Sequence, residues 1–150
     1  MPTPPGWLLA QTVISEIGTN MRRFPNEKHF CSWLGLAPKN DISGGKVLKN
    51  ASLKTKSRAG QAFRMAAKSV IRADCAFGQI YRRLRSRLGP AQAIVATAHA
   101  IARVIYRMLK FQVEYEPVSG GEYQKRYEAQ QMKYLQKKAA KMGFELVAAN

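Results

Sequence analysis

The sequence predicts an all-α protein: a helical hairpin of the helix-hairpin-helix type, then a small helical bundle and a polar C-terminal helix. Apolar residues recur at spacings of three and four along most of the 150-residue chain, and no segment alternates apolar and polar residues as a half-buried strand would. Hydrophobic residues make up 46% of the chain, which favours a folded core over a disordered basic tail. The length suits one domain over residues 1–118 with an appended helical tail over residues 119–150.

The first two predicted helices form the hairpin. The first covers residues 6–17 and stops at Gly18. The second begins near Asn26, the predicted N-cap, and ends at Gly35. Two short helices joined by a tight turn are a common platform against a nucleic-acid backbone. Their apolar stripes comprise Leu9, Val13, Ile14 and Ile17 in the first helix and Phe30, Trp33 and Leu34 in the second.

The rest of the chain is predicted as a loop followed by four helices. The loop, residues 38–57, is rich in Lys, Asn, Ser and Gly. The third of the four helices has the most regular apolar stripe, and its many alanines allow neighbouring helices to approach closely. The last helix carries charges of both signs, which suits a solvent-exposed or partner-binding helix. The four helices are predicted at about residues 57–75, 77–88, 91–111 and 122–142.

Positive charge is concentrated in the middle of the chain. From Ser43 to Arg87 there are twelve Lys or Arg residues against one acid, Asp74, so this stretch carries +11 of the net charge of +16. A polyanionic partner is expected. Nucleic acid suits it better than a membrane, because the charge is spread over a loop and two helices rather than along one amphipathic helix. The alternative is a solvated face whose charge is balanced by acids of the same chain. The stretch contains one acid, Asp74, so this alternative is weak.

Other features narrow the class of protein. The longest apolar stretch, residues 91–102, is interrupted by Gln92 and His99 and is too short to span a bilayer, and His99 is predicted to be a core histidine. The N-terminus lacks the basic region and the apolar run of a signal peptide. Cys31 and Cys75 form no Cys-x-x-Cys pair and are predicted to be reduced, buried thiols, and with two His in the chain no metal site is predicted. We expect a cytoplasmic, nucleoid-associated protein without a membrane partner.

The segment Asp41-Ile42-Ser43-Gly44-Gly45-Lys46 joins the helical hairpin to the basic stretch. A nucleophilic serine needs an exposed hydroxyl, room for a phosphorus atom and groups that stabilise charge on the phosphate oxygens. Gly44 and Gly45 free the backbone to surround an anion with N–H groups, and Lys46 supplies a charge. Ser43 is therefore the candidate nucleophile. The alternative is a Gly-rich turn with an ordinary loop hydroxyl, and Asp41 either orients that hydroxyl, joins a metal site or is a plain turn aspartate.

Candidate phosphate-binding groups extend beyond this segment. If roughly six to eight of the cations contact phosphates, the slope of log K against log salt should be roughly −5 to −7. The run from Tyr81 to Arg87 ends a helix and is expected to straddle backbone phosphates rather than read bases. The predicted nucleic-acid-binding set is Gly44, Gly45, Lys46, Lys49, Arg58, Arg64, Lys68, Arg82 and Arg83.

The aromatic side chains are interpreted as packing residues. Phe30, Trp33 and Phe63 lie on apolar stripes and are predicted to belong to the core rather than to stack on bases. Tyr81 and Tyr106 carry hydroxyls that attack phosphates in other enzyme classes, but their helical spacing favours packing.

The chain resembles one group of insertion-sequence transposases. The runs FPNEKHFCSWLGLAP and ISGGK, at residues 24–38 and 42–46, look like the C-terminal domain of the IS110, IS116 and IS902 group, which is related to the Piv DNA invertases. The resemblance covers roughly residues 6–115 in order and is more specific than a single motif. Pro4 stands where the family usually has glycine. Further matching positions are Gly6, Ala10, Glu16, Gly18, Gly60, Arg64, residues 92–96 and residues 106–110.

This resemblance implies one half of a two-part enzyme. In the family, an N-terminal RuvC-like domain binds divalent metal (Mg) through an Asp-Glu-Asp-Asp set, and the C-terminal domain supplies a serine whose place Ser43 occupies. The implied chemistry is DNA strand exchange through a covalent phosphoserine, with a 3′ hydroxyl released and later used to reseal. Some members use a structured guide RNA to select DNA. We expect this chain to lack the RuvC-like half, as a fragment or truncated copy or as a protein that depends on a RuvC-like partner, and therefore to bind DNA alone without turnover and to hold no cofactor itself.

Three functions stay open on the sequence. The first is the serine-bearing transposase domain. The second is a non-catalytic nucleic-acid-binding module, in which Ser43→Ala changes nothing and Arg64→Ala or Arg82→Ala each lowers the salt slope by about one. The third is an assembly module in which helix 122–142 pairs between copies, so that a chain ending near Val118 would change its oligomeric state.

Overall fold

The computed structural model describes residues 6–52 and 57–149, and for residues 39–42 and 47–52 it describes the backbone. The predicted predominantly helical class is confirmed, and a two-stranded antiparallel sheet interrupts the helices between α2 and α3. In chain order the elements are α1 (Gly6–Ile17), a 3-10 turn (Met21–Arg23), α2 (Glu27–Trp33), β1 (Pro38–Ser43), β2 (Lys46–Ser52), α3 (Arg58–Ser69), α4 (Ala76–Leu88), α5 (Pro90–Phe111) and α6 (Gly120–Lys141).

Local signals set the ends of the first helices. Gly18 has a positive φ of 70°, and its N–H donates to the carbonyl of Ile14 at 2.8 Å, which closes α1. Asn26 adopts an extended backbone, and its side-chain oxygen accepts the N–H of His29 at 3.0 Å. The predicted N-cap of α2 is thereby confirmed.

The core lies between α1, α2, α3 and the central part of α5. The Phe30 ring is fully buried, with Phe63 edge-on to it at 6.2 Å between ring centroids and Tyr106 at 5.7 Å. The core positions predicted for Phe30 and Phe63 are confirmed. Trp33 is 40% exposed, so its predicted burial is wrong: it lies with Ser32 on the outer side of the last turn of α2, while Cys31 and Leu34 on either side are buried. Ala98 and Ala102 are fully buried and allow α3 to approach α5.

α5 is held against the 3-10 turn and the start of α2 at its C-terminal end. The buried hydroxyl of Tyr106 donates to the Phe24 carbonyl at 3.0 Å, so this tyrosine packs, as predicted. The Lys110 ammonium donates to the carbonyls of Phe24 and Pro25 and to the Tyr106 hydroxyl. A shallow groove of ≈ 430 Å³ lies at this junction, lined by Pro25, Asn26, Glu27, Tyr106, Arg107, Lys110 and Phe111, none of which belongs to the β-hairpin.

α6 begins where residues 118–120 pass close to the start of α4. The N–H of Ala76 donates to the Val118 carbonyl at 3.1 Å, and Ser119 caps α6 by accepting the N–H of Glu122. The two segments approach closely at Gly120, where a Cβ would lie 2.1 Å from an Asp74 carboxylate oxygen and would displace that side chain. The final helix is therefore docked on α4 at its N-terminal end, while its side chains from residue 128 onward are almost all exposed.

Candidate functional site

Ser43 lies at the tip of a β-hairpin. β1 and β2 pair antiparallel through a two-residue turn of Gly44 and Gly45, whose φ values of 56° and 76° are both positive, as in a type I′ turn. The predicted loop over residues 38–57 is therefore wrong for residues 38–52. The strands are rich in Lys, Asn and Ser, so they lack the apolar alternation that marks a strand. The Gly-Gly pair was the signal in the sequence that could have found the hairpin.

The turn places Ser43 directly opposite Lys46. The two residues are Cα partners in the ladder, and both side chains are exposed. Side chains of directly opposed residues share one face of a hairpin, with Cβ atoms about 4.5–5.5 Å apart. The fold therefore brings a primary hydroxyl and an ammonium group side by side at a solvent-exposed tip.

A β-bulge lies close behind this pair. Ile42 pairs with Val47, but Asp41 pairs with Lys49, so Leu48 is the extra residue of β2. Without the bulge Asp41 would face Leu48, and with it an acidic and a basic position are opposed near the Ser43–Lys46 pair. The side chains of Asp41 and Lys49 lie outside what the structure describes, and the predicted roles of both stay predictions.

The start of α3, which follows the hairpin in the chain, is held by a carboxylate from α1. The Glu16 side chain accepts the Ser57 hydroxyl at 3.2 Å and the N–H groups of Arg58 and Ala59 at 3.1 and 2.6 Å. A helix N-terminus attracts anions through its unpaired N–H groups and its dipole. Here that position is occupied by Glu16, so a phosphate bound near α3 has to use side chains instead.

Two of the predicted phosphate-binding cations lie on the solvent face of α3. Arg58 and Lys68 are exposed and have no partner among the described residues, and Arg72 continues the same face one turn beyond the helix. At 1.5 Å per residue, Arg58 and Lys68 are roughly 15 Å apart along the helix axis. This spacing suits contacts with separate phosphates of one backbone.

Arg64 and Arg82 are bound to backbone carbonyls instead. The Arg64 guanidinium donates to the Gly35 carbonyl at 3.1 Å, which ties α3 to the junction of α2 and β1, and partial burial lowers the pKa of Arg64. Arg82 donates to the carbonyls of Ile71 and Ala73 at 3.1 and 3.4 Å and so closes the turn between α3 and α4. These hydrogen bonds help to hold the fold, and the phosphate-binding roles of Arg64 and Arg82 stay predictions.

Arg83 lies beneath α6. Its guanidinium carbon is 4.0 Å from the ring centroid of Tyr127 and 5.5 Å from that of Tyr123, and its Nη1 atom is buried without a hydrogen-bond partner. Sequence reasoning placed Arg83 on phosphates because the tyrosines are forty and forty-four residues away in the chain. The contact is a cation–π clamp between α4 and α6.

We expect Tyr127→Leu to loosen α6 without unfolding the body of the protein. A partly desolvated cation–π contact contributes about 1 kcal/mol. Without Tyr127, the remaining ring near Arg83 is that of Tyr123, whose centroid is farther away at 5.5 Å. Hydrogen exchange of the amides in residues 120–127 should accelerate about fivefold or more, while those in α5 stay unchanged. Tyr134→Leu is the matched control, since Tyr134 is 58% exposed on the same helix. Equal acceleration in both variants would contradict the clamp.

Burial changes the pKa of two further titratable side chains, Cys31 and His99. Burial raises the pKa of the Cys31 thiol to about 11, so it is a neutral packing group, and burial lowers the pKa of His99. Cys31 and Cys75 are free thiols, Cys31 buried and Cys75 half-buried. Among the side chains that the structure describes, no group of three or more His, Cys, Asp or Glu is placed to hold a metal ion. No helix in this described part is long and apolar enough to cross a membrane.

Comparison with known proteins identifies the family. The model of the transposase IS116/IS110/IS902 family matches residues 6–82, just over half of the chain, from the start of α1 through the β-hairpin into α4. Neither the curated proteins nor the solved structures gave a match. The matched span contains the Ser43 hairpin, the Glu16 anchor and the cationic face of α3. The chain belongs to the IS116/IS110/IS902 family of transposases.

Proposed function

We propose that this protein binds DNA and presents Ser43 as the nucleophile of DNA strand exchange. The observation that carries the proposal is the exposed Ser43 at the tip of a two-residue turn with Lys46 directly opposite it. A nucleophilic hydroxyl has to reach a phosphorus atom inside a bulky duplex. In the described part of the chain the hairpin packs extensively on no helix, so its tip is free to enter a groove.

The chemistry follows from this pair. The Ser43 Oγ forms a bond to phosphorus while the bond from phosphorus to the 3′ oxygen breaks. The serine proton passes to a base or to solvent and the 3′ oxygen takes up a proton, which leaves a phosphoserine and a free 3′ hydroxyl. The Lys46 ammonium stabilises the negative charge that builds up on the phosphate oxygens. Attack by the 3′ hydroxyl on the phosphoserine reverses these bond changes and reseals DNA.

A metal-binding RuvC-like half belongs to the same proposal. Three acids precede α3, and of these Glu16 is bonded to the start of α3 and Glu27 to Arg103. These bonds make Glu16 and Glu27 poorly suited to hold a divalent cation beside Ser43, which leaves Asp41 as the one acid of this part of the sequence near the serine. A RuvC-like half with its own carboxylates would hold Mg²⁺, which would help to neutralise the phosphate charge when bound.

The salt dependence of DNA binding tests the binding half of the proposal. Arg58→Gln and Lys68→Gln should each reduce the slope of log K against log salt by about 0.9 on duplex DNA, since each removes one exposed, unpaired cation. Arg83→Gln should change the slope by less than about 0.3, because its guanidinium lies under Tyr127. An unchanged slope in both Arg58→Gln and Lys68→Gln would show that the α3 face is not the contact surface.

Two other predictions from the sequence stay predictions. Guide RNA would meet the same cationic face as DNA, because phosphates of either backbone suit Arg58 and Lys68. Self-association through α6 is favoured by Met132, Leu135 and Met142, which are 51%, 44% and 64% exposed on its projecting half.

A further inference from the structure

A second surface combines an exposed aromatic ring with unpaired positive charge. Trp33 ends α2, five residues before β1 begins, and is 40% exposed. The buried Phe24 ring packs at 5.4 Å from the Trp33 ring and supports it from the core side. The Arg23 guanidinium lies 5.0 Å from the Trp33 ring centroid and 4.9 Å from that of Phe24. The indole is thus held in one orientation with part of its surface open to solvent.

The charge around this ring is not compensated. Arg22, Arg23 and Lys28 are exposed and make no ion pair among the described residues. The single acid between residues 18 and 40 is Glu27, and Arg103 of α5 binds its carboxylate at 2.7 Å. An anionic ligand near Trp33 would therefore meet cations and no repelling carboxylate. We call Arg22, Arg23, Lys28 and Trp33 the Trp33 surface.

We propose that the Trp33 surface binds an unpaired nucleotide, with the base stacked on the exposed part of the indole that Arg23 leaves uncovered and the neighbouring phosphates on the surrounding cations. Aromatic rings bind unpaired bases because every base has a π-face, whereas bases inside a duplex are already stacked on each other. The indole favours this ligand over a free anion, because Phe24 fixes a flat aromatic ring that a base can stack on and that a free anion would not use.

The position of the surface links it to the Ser43 hairpin. α2 runs through residues 34–37 directly into β1, and Arg64 of α3 holds this junction at the Gly35 carbonyl. The inference rests on the proposed function in one respect: we take the bound nucleotide to be one that is unpaired next to the scissile phosphate. Binding of an unpaired strand is nonetheless measurable without any strand cleavage.

Trp33 fluorescence tests the proposal directly. The chain has two tryptophans, so Trp7→Phe leaves Trp33 as the single reporter. We expect an oligothymidylate of about 12 nucleotides to quench Trp33 fluorescence and an abasic oligonucleotide of the same length, which has the phosphates without the bases, to leave it unquenched. Trp33→Leu should weaken oligothymidylate binding about tenfold and leave abasic binding unchanged, and Trp33→Tyr should restore most of the affinity.

Control variants distinguish nucleotide binding at Trp33 from the role of Ser43 as the nucleophile. Ser43→Ala should retain the Trp33 quenching in full, so a failed nucleophile assignment does not affect the result. Trp7→Leu is the matched control for loss of an exposed indole, since Trp7 is 64% exposed on α1. If Trp33→Leu lowers the melting temperature, the proposal is tested with two other measurements. These are the affinity of the Trp33→Tyr variant and the quenching of Trp33 in the Trp7→Phe protein.

Two quenching results would contradict nucleotide binding at the Trp33 surface. Equal quenching by abasic and thymidylate strands would overturn the proposal, because phosphates alone would then account for binding. Equal quenching by a blunt duplex of the same length would also overturn it. A preference for oligothymidylate over oligouridylate assigns the surface to DNA and the reverse preference assigns it to RNA, and either supports an unpaired nucleotide as the ligand.

Discussion

Ser43→Ala should abolish the covalent protein–DNA adduct while leaving DNA binding intact. The adduct is a phosphoserine, so removing the only oxygen that can form it should reduce its yield by at least about a thousandfold. The side chain is exposed at the hairpin tip, and alanine is compatible with a strand end, so the fold and the salt slope should not change. The measurement is a gel shift under denaturing conditions, with the chain, a RuvC-like half and a labelled DNA nicked so that resealing is prevented.

The matched control is Ser69→Ala. Ser69 is an exposed serine at the end of α3 whose hydroxyl donates to the Ala66 carbonyl, and its removal should leave the adduct yield unchanged. An adduct that persists in Ser43→Ala would show that another residue is the nucleophile. Intact binding with no adduct in the unsubstituted protein, under conditions where the RuvC-like half is active, would favour the non-catalytic binding module.

Glu16→Ala should cost about 2–3 kcal/mol of the free energy of unfolding. The carboxylate accepts two N–H groups at the start of α3 and the Ser57 hydroxyl, and hydrogen bonds to charged acceptors contribute about 1.5–3 kcal/mol each before the remaining groups find water. Because Glu16 lies on α1, its loss also removes a polar link between α1 and α3, which then hold together through the core alone. The free energy is obtained from urea unfolding followed by far-ultraviolet circular dichroism.

Two variants sharpen this prediction. Glu16→Gln keeps one acceptor oxygen for the Ser57 hydroxyl and the Ala59 N–H, but it removes the charge and the bond from the Arg58 N–H, so it should cost about half as much as alanine. Glu122→Ala is the matched control: this exposed carboxylate pairs with Arg126 one turn along α6, and its loss should cost about 0.5 kcal/mol or less. A cost for Glu16→Ala no larger than for Glu122→Ala would contradict the anchor.

The Glu16 anchor also bears on function. In Glu16→Ala the N-terminus of α3 becomes an open anion site, and the net charge of the chain rises by one. Non-specific DNA affinity should therefore not fall, although the protein is less stable. A variant that loses stability and keeps affinity would separate the two contributions of α3, the anchored start and the cationic face.

Most of the helical architecture was predictable from local patterns. Asn26 as a cap, Gly18 as a stop, Pro90 at the start of α5 and Phe30 in an apolar stripe each act within a few residues of the chain. The β-hairpin was missed because its strands are polar and short, and pairing between strands depends on partners rather than on periodicity. The Gly44–Gly45 turn is the local feature that encoded it.

The sequence by itself determined the helical class, the position of Ser43 ahead of a basic stretch and the family to which that serine points. Only the tertiary structure decided which cations are free. Arg64 and Arg82 are bound to carbonyls, Arg83 lies under Tyr127, and Arg58 and Lys68 stay open to solvent. In the sequence the arginines of a run look alike. In the folded protein their guanidinium groups have different partners, which lie on other elements of the structure. Tertiary packing likewise decides that Trp33, at the end of α2, is exposed and that Phe30, one turn earlier, is buried in the core.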